Sequence, residues 1–458
     1  MSKKIVFNIT HGFQARMLLR SGIAERLISR GSKIIIISKN FDEEYFKNEF
    51  SDPRFVLEKM PIKISRIESI LVNFRQYLLM NPTLGATLNL KNEIFKKERP
   101  ILSKCVRCAN IFLGNFSLLR VLYIKIESIL FSGREFDDIL NRNKPDLVVT
   151  GTPGMNPLDI HLLRSAQRKN VKTATVMLSW DNLTSKGYMG AKPDFLLVWS
   201  DLMAVEAAHY HSFPQERIVW SGAAQFDVYH KISDLVNPRE WRKIKAVPVD
   251  RPLIVYGTVN PALVPHEINI IKSIIESFNS NSFKIKPFLW VRLHPQLVRG
   301  EYSQSLKPYR NLACEDVYIE EPPVLSDKLD WDLPKSDSLH LAQLISAADV
   351  VVTTSSTLSI DAACAGTPII NVFFDGENPI PKEYSIKRFM HYTHNAKLLD
   401  SGGIGKAYTI KDFVELVHSA ISDSTKWKSR LGNVIRQQIN VLDGRSGKRT
   451  ADILISLE

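Results

Sequence analysis

Five hydroxyl-bearing residues stand in a row at 353–357, where an apolar, strand-like run ends and the small-residue helical run "LSIDAACAG" begins. The first turn of a helix offers free backbone N–H groups and the positive end of the helix dipole, and hydroxyls add further donors. One hydroxyl is enough to cap a helix. The additional ones favour a phosphate site at Ser355, Ser356 and Thr357 over a simple cap.

A histidine follows another apolar run, "FLWVRLHP" at 288–295. His294 at a strand end can donate to a phosphate or protonate a leaving oxygen. Arg292, two positions earlier on the same face, can supply positive charge. Ligands of open α/β sheets bind beyond the carboxyl ends of the strands, so other strand ends join the predicted donor site. They contribute Thr258, Pro295 and Glu377.

The first half of the chain has two candidates for a general base. His11 follows the apolar run 4–10, and Asp181 lies in "SWDNLTSKG" (179–187) after another such run. Asp181 followed by an Asn is also typical of an Asx turn. Asp227 follows the last apolar run of this half, where a cap or turn role is the plainer interpretation. The predicted acceptor-binding residues are Arg16, Arg20, Asn182 and Lys186.

Continuous apolar runs alternate with helical stretches in both halves of the chain, which predicts parallel strands that are buried on both faces. The predicted strands are 4–10, 33–38, 146–151, 172–179, 194–200, 217–222, 253–258, 288–295, 317–321, 349–354 and 368–374. We therefore expect a Rossmann-like domain over 1–235, a polar linker over 236–252, a second Rossmann-like domain over 253–430 and a helical tail over 431–458.

The stretch 62–140 departs from this plan and predicts a helical insertion. It interleaves Ile, Leu and Phe with basic residues: Lys96, Lys97, Arg99, Lys104, Arg107, Arg120 and Lys125. Such a segment can cover the sheet, bind an anionic acceptor, or contact an anionic membrane, for which we expect 92–130. No apolar run reaches the roughly 20 residues of a membrane span. The start "MSKKIVFNIT" has the pattern of a strand and lacks the apolar region of an export signal. We therefore expect a cytoplasmic protein, soluble or peripheral on the inner face of the membrane.

The chain has 458 residues and a net charge of +12, which suits anionic partners. Nucleic acid is one such partner, but no helix-turn-helix, zinc-finger or RNP pattern is found, so we expect none. Cys105 and Cys108 lie in a helical pattern rather than in a zinc-type turn. Asp330 and Asp332 form an Asp-x-Asp pair in a proline-containing loop, for which we predict no metal. We expect no cofactor.

The motifs "VRLHPQ" and "TTSSTLSID" resemble the His-Pro and Ser-Ser/Thr motifs of nucleotide-sugar transferases with the two-domain GT-B fold. The resemblance is to bacterial sialyltransferases, capsule Kdo transferases and the CDP-glycerol glycerophosphotransferases. The segment "HYTHNAKLLDSGGIGKAYT" (391–409) is also similar to surface-polysaccharide transferases. The resemblance implies an α/β GT-B fold with two Rossmann-like domains facing across a cleft, metal-independent transfer, and donor phosphate contacts from His294, Ser355, Ser356 and Thr357.

The predicted function is transfer from a nucleotide-activated donor to a bacterial surface glycan or lipid-linked acceptor, as in capsule or lipopolysaccharide assembly. A CMP- or CDP-linked donor, including a CDP-polyol, is preferred over a UDP-sugar. A non-hydrolysing UDP-sugar 2-epimerase is the alternative enzyme, and a basic nucleic-acid-binding protein is the alternative of another class.

Overall fold

A computed structural model describes residues 3–62, 64–76, 86–101, 103–105, 108, 116–152, 156–279 and 282–457. The chain forms two compact units, Met1–Ala224 with Arg445–Glu458, and Gln225–Gly444. Each unit contains one twisted sheet of parallel strands between helices, and the predicted α/β fold with two Rossmann-like sets is confirmed. Arg107 of the predicted basic stretch lies outside the described residues.

The sheet of the first unit has seven strands in the order β3-β2-β1-β4-β5-β6-β7. The strands are β1 (Lys4–Ile9), β2 (Lys33–Ser38), β3 (Phe55–Lys59), β4 (Leu147–Thr150), β5 (Lys172–Val176), β6 (Phe195–Val198) and β7 (Ile218–Trp220). The central strands are buried on both faces, as their continuous apolar sequences predict. β3 was not predicted, because its residues are only half-buried and its sequence is mixed.

The helices of the first unit include the predicted insertion. They are Gly12–Gln14, Ile23–Ser29, Glu44–Glu49, Arg66–Gln76, Ala86–Glu98, Ser117–Leu130, Asp137–Asn143, Pro157–Arg168, Asn182–Ser185, Asp201–His211 and Ser446–Ser456. The sequence 14–31 has one continuous helical pattern, which predicts a single helix, but the structure divides it. A π-helical turn, Ala15–Leu19, is followed by Gly22, which begins the next helix with a φ of 86°. Only glycine adopts that backbone conformation readily, so the first helix ends there.

Buried charges attach the insertion to the Rossmann-like core of its unit. Glu127 Oε1 accepts hydrogen bonds from Arg75 Nη1 at 2.6 Å and from Arg164 Nη2 at 3.0 Å. Arg164 belongs to the core helix Pro157–Arg168, and His161 on the same helix pairs with Glu68 of the insertion. Among the described helices, none is long and apolar enough to cross a bilayer.

The sheet of the second unit has six strands in the order β10-β9-β8-β11-β12-β13. They are β8 (Leu253–Gly257), β9 (Phe288–Arg292), β10 (Val317–Glu320), β11 (Val350–Thr353), β12 (Ile369–Val372) and β13 (Gly405–Ala407). The helices are Ile232–Leu235, Pro238–Ile244, Glu267–Asn279, Pro295–Val298, Leu306–Arg310, Lys335–Ala347, Leu358–Ala365, Thr393–Asp400, Ile410–Ser422 and Ser424–Ile439. β13 was not predicted, because "GKA" is short and carries no branched apolar residue.

The second unit starts earlier and ends later than the predicted domain. Within the expected linker, Pro238–Ile244 is a helix that buries Trp241, and Arg242 donates to the Ala347 carbonyl and to Asp349. The tail is helical but belongs to two units, because the helix Ser446–Ser456 packs on the first one. There Arg26 bonds to Asp452 and Lys3 donates to the Ile455 carbonyl.

Replacing Glu127 tests this attachment. Glu127→Gln would leave the guanidinium groups of Arg75 and Arg164 buried without a carboxylate, and breaking a buried pair in this way typically costs about 3–5 kcal/mol. We expect a loss of that order in the free energy of unfolding, measured with urea by circular dichroism. Glu93→Gln is the control, because Glu93 is exposed and pairs with the exposed Lys96 at 3.7 Å. Equal effects of the two changes would contradict the anchoring role.

Candidate functional site

The hydroxyl run lies where β11 ends and the helix Leu358–Ala365 begins, as predicted. Ser356 Oγ accepts from the Leu358 N–H at 3.2 Å and so caps the helix. Ser355 and Thr357 are half-buried, and their hydroxyls make no hydrogen bond within the described part of the chain. Two hydroxyls at the positive end of a helix are therefore left for a ligand.

This helix approaches the neighbouring strand very closely at Gly257, the last residue of β8. A Cβ at that position would lie 2.1 Å from Leu358 Cδ2, so a larger residue would displace the Leu358 side chain from the end of β8. β8 and β11 are adjacent strands whose helical connections diverge, which makes this the topological switch point of the sheet. The hydroxyl run thus lies where ligands of such sheets bind.

His294 lies on the other side of β8, at the end of β9. Its backbone N–H donates to Thr258 Oγ1 at 2.7 Å, and its Nδ1 accepts from the Gln296 N–H at 3.3 Å. Pro295 is the first residue of the short helix that His294 caps, a position that needs no N–H. Because Nδ1 accepts, the proton of the neutral ring is on Nε2. The N–H donor of the ring is then at Nε2, and an N–H donor is the kind of group from which a phosphate accepts.

Two loops flank the hydroxyl run, since β11 lies between β8 and β12. His266, in the loop after β8, donates to Asp375 Oδ1 at 3.0 Å in the loop after β12. Asp375 also accepts from Ser385 Oγ at 2.6 Å and from the Ile386 N–H at 2.8 Å. Burial would raise the pKa of Asp375, but these bonds, with His266 foremost, lower it. Glu377, which was predicted to contact the donor, lies two residues after Asp375, and its side chain is exposed.

The prediction that Arg292 supplies charge to the donor needs correction. The Arg292 guanidinium is buried and pairs with Glu320, and with Asp337 at 2.6 Å. Burial alone would lower its pKa, but the two carboxylates raise the pKa above its ordinary value. Glu320 also accepts from Trp290 Nε1 at 2.6 Å. Arg292 therefore holds β9 and β10 together and has no charge to spare for a ligand.

The predicted Asp-x-Asp pair does not form a common carboxylate site. Asp332 is fully buried and Asp330 is exposed, and Trp331 between them has a φ of 63° and packs its ring on His294 at 4.7 Å between ring centres. Within the described ranges, no group of three or more His, Cys, Asp or Glu side chains could hold a metal ion. Asp227 lies in the 3₁₀ helix Ala224–Tyr229, where its backbone carbonyl accepts from the His230 N–H.

In the first unit His11 repeats the local geometry of His294. It follows β1, caps the turn Gly12–Gln14, and its Nδ1 accepts from the Phe13 N–H at 3.1 Å. The neutral ring then carries its proton on Nε2. A histidine that removes a proton through Nε2 needs the opposite tautomer, with Nδ1 donating. This geometry therefore does not suit the role of general base that was predicted for His11.

A buried carboxylate organises the loop that holds His11. Asp159 accepts from Asn8 Nδ2 at 2.7 Å, Gln14 Nε2 at 3.0 Å and the Thr152 N–H at 2.8 Å. Complete burial raises its pKa to about 6, against the lowering effect of these bonds. Asp159 links the ends of β1 and β4, which are the switch point of this sheet. It positions the loop rather than facing a ligand.

Asp181 lies in a cluster of polar groups after β5. It accepts from Ser185 Oγ at 2.7 Å and pairs with Lys186 at 3.7 Å. The insertion contributes Lys91, whose ammonium donates to the Ser185 carbonyl at 3.0 Å. Burial and the neighbouring Lys186 lower the pKa of Lys91 to about 8. Asn182 Nδ2 is buried without a hydrogen-bond partner among the described residues.

The two predicted arginines of the acceptor site differ in availability. Arg20 donates from Nε and Nη2 to both oxygens of Glu49, at 2.8 and 2.7 Å, and its side chain is buried. Its predicted acceptor role is therefore corrected to a structural one. Arg16 lies in the π-helical turn, and its Nε is buried without a hydrogen-bond partner among the described residues. π-Helical turns are frequent at functional sites.

Sequence reasoning missed Lys91, Asp159 and His266. Lys91 is one of ten Lys and Arg residues in 64–130, and nothing in its local pattern distinguishes it. Asp159 follows "NPL" as an ordinary residue of a helix first turn. His266 directly precedes the helix Glu267–Asn279 but lies nine residues after the end of β8, so it lacks the position next to a strand end that singled out His11 and His294.

The two sets of parallel strands and helices are those of the GT-B class of folds. The chain is similar over its whole length to the UDP-GlcNAc 2-epimerase from Neisseria meningitidis bound to UDP-GlcNAc, with 12% identity, 100% of each chain covered and a TM-score of 0.56. It is also similar to a glycosyltransferase from Rickettsia africae ESF-5, with 10% identity, 100% of each chain covered and a TM-score of 0.52.

A third similar structure is the wall teichoic acid polymerase TagF with CDPG, at 10% identity and a TM-score of 0.50, covering 99% of this chain and 88% of that one. No family model and no curated protein matches the sequence. At these identities the similarity shows the fold. The similar structures are enzymes, both transferases and epimerases, so the fold leaves these two activities open.

A buried glutamate in the second unit predicts a pH effect on stability. Glu267 accepts from Tyr256 Oη at 3.0 Å and from the Val259 N–H at 2.9 Å, and burial raises its pKa to about 8 from 4.5. Between these pH values the folded state binds more protons than the unfolded state, so stability falls as pH rises through the window. Glu267→Gln should remove this contribution and flatten the pH dependence of the free energy of unfolding.

The matched control is Glu276→Gln on the same helix, where Glu276 is exposed. Urea unfolding at several pH values between 4.5 and 8 measures both variants. The stability of Glu267→Gln relative to the parent should increase across the window, whereas Glu276→Gln should run parallel to the parent. A parallel course for Glu267→Gln would contradict the raised pKa.

Proposed function

We propose that the protein is a GT-B transferase that moves a sugar or polyol phosphate from a nucleotide-activated donor to a bacterial surface glycan, free or lipid-linked. The observation that carries this proposal is the pair of hydroxyls of Ser355 and Thr357 at the start of the helix Leu358–Ala365, which make no hydrogen bond to any residue that the structure describes. His294 adds a ring N–H donor at the neighbouring strand end. These groups are suited to the phosphates of a nucleotide.

In the proposed reaction an acceptor hydroxyl loses its proton to a base and attacks the anomeric carbon, or the phosphorus of a CDP-polyol. The bond to the nucleotide phosphate breaks, and the electron pair leaves with that phosphate. The helix terminus and His294 stabilise the negative charge that forms there, so the role of a divalent cation is filled by protein groups. A CMP- or CDP-linked donor is preferred to a UDP-sugar on the motif resemblance alone.

Asp181 is the better candidate for the base. It is half-buried, its carboxylate pairs with Lys186 at 3.7 Å, and the Lys91 ammonium lies close enough to interact with it. His11, with Nε2 protonated, is better suited to donate a hydrogen bond to the donor or acceptor. The acceptor would then meet Asn182, Lys186 and Arg16. The enzyme would work at the inner face of the membrane, where lipid-linked acceptors are assembled.

A second candidate activity is epimerisation of a UDP-sugar at C2, favoured by the full-length similarity to an epimerase bound to UDP-GlcNAc. Epimerisation breaks and remakes the C2–H bond and needs no acceptor. Incubation with UDP-GlcNAc in D₂O separates the two activities. Deuterium at C2 of the sugar, detected by NMR, would establish the epimerase. If the sugar keeps its C2–H while the protein binds the nucleotide, the transferase is supported.

The proposed donor site predicts which hydroxyls bind the nucleotide. Calorimetry with the nucleotide that gives the largest thermal shift among CMP, CDP, UMP, UDP and GDP measures the effect. Each lost contact to a charged group is worth about 1.5–3 kcal/mol, so Ser355→Ala with Thr357→Val, and separately His294→Ala, should weaken affinity by at least about ten-fold. The fold should stay intact, since these hydroxyls bond to nothing else described.

Thr409→Val is the matched control in the same unit, because Thr409 caps the helix Ile410–Ser422 through Asp412. It should lower the unfolding temperature without a change in affinity. Unchanged affinity after both the hydroxyl and the His294 replacements would refute the site. Failure of every nucleotide to shift the unfolding of the parent protein would refute the proposed function itself.

The proposed base predicts a difference between two variants. Asp181→Asn keeps the size and removes the basicity, so release of nucleotide from the donor in the presence of a lipid-linked glycan fraction should slow by about 10²–10⁴-fold. Nucleotide affinity should stay near that of the parent. His11→Ala is the comparison. If it slows release while Asp181→Asn does not, the base is His11.

A further inference from the structure

The insertion helix Ser117–Leu130 has an inner and an outer face of different kinds. Its inner face is built into the unit. Tyr123 and Ile124 pack with Leu88 and Tyr188, and Glu127 binds Arg75 and Arg164 as described above. The helix is therefore held in one orientation, and its other face is fixed outward.

The outer face is apolar, which is the reverse of an ordinary surface helix. It consists of Leu118, Val121, Leu122, Ile126 and Ile129, which recur at helical spacing and are 50–77% exposed. Ile67, Ile70 and Ile101, from other parts of the insertion, are also 66–80% exposed. Contiguous exposed apolar residues of this kind mark an interaction surface.

Basic residues accompany this apolar surface. Residues 64–130 contain ten Lys and Arg and four Glu, so this stretch carries +6 of the chain's net charge of +12. Three of the four glutamates are engaged within the unit. Glu68 and Glu127 are buried in ion pairs, and Glu93 pairs with Lys96. Lys125 is exposed on the outer face itself, and Lys97, Arg99 and Lys104 are exposed nearby in the chain.

We propose that the outer face of Ser117–Leu130 binds an anionic lipid bilayer, with the helix lying in the plane of the membrane surface. A second copy of the chain is the less suitable occupant, because it would bring one +6 stretch against another. A bilayer of anionic lipids accepts both the apolar side chains and the cations. The surface extends the proposed function by bringing the enzyme to lipid-linked acceptors, but it does not depend on that function.

Vesicle sedimentation tests the surface without any assay of activity. The full-length protein should sediment with vesicles of phosphatidylglycerol and phosphatidylcholine, lose binding as salt is raised, and bind pure phosphatidylcholine much more weakly. Leu118→Gln, Leu122→Gln and Ile129→Gln together should lower partitioning by at least about ten-fold. Lys125→Gln alone should lower it by about five-fold and reduce the salt dependence.

The matched control replaces three exposed apolar residues elsewhere, Val205→Gln, Ile244→Gln and Ile285→Gln, and should bind vesicles as the parent does. Circular dichroism verifies that both triple variants fold. Equal binding to neutral and anionic vesicles, or equal loss in both triple variants, would overturn the proposal. So would a parent dimer, seen by ultracentrifugation without lipid, that the outer-face variant converts to a monomer.

Discussion

The close approach of a helix to a strand at Gly257 is the constraint on which the candidate donor site depends. With no side chain at this position, Leu358 packs directly over the end of β8, and the first turn of Leu358–Ala365 is brought to the switch point of the sheet. The hydroxyl run and the cap from Ser356 lie in the turn that leads into this helix. A parallel sheet puts its strand ends at one edge, and the start of Leu358–Ala365 adds the positive end of a helix dipole there.

The sequence predicted both sheets because strands that are buried on two faces are continuous apolar runs, and these runs alternate with helical stretches. The two missed strands, Phe55–Lys59 and Gly405–Ala407, lack that signal. Their positions are set by pairing with β2 and β12, which is information carried by the neighbouring strands rather than by their own residues.

The positions of the polar residues were predicted better than their roles, because a role depends on partners that are distant in sequence. The strand-end positions of His11, His294 and the hydroxyl run follow from local order along the chain. The roles of Arg20 and Arg292 do not, because Glu49 and the Glu320–Asp337 pair that bind them are distant in sequence. The local sequence around a basic residue is the same whether its charge is paired with a carboxylate or available to a ligand. Only the folded structure distinguishes the two cases.

The two histidines show how a local motif limits chemistry. Each follows a strand and uses Nδ1 to accept the N–H of the residue two positions later, so each ring is fixed as an Nε2–H donor. A donor is what a phosphate oxygen requires, and it is the wrong tautomer for removing a proton. The proton acceptor must then come from a group other than these two histidines. Asp181 is the carboxylate that the cluster after β5 offers, where it accepts from Ser185 Oγ and pairs with the Lys186 ammonium.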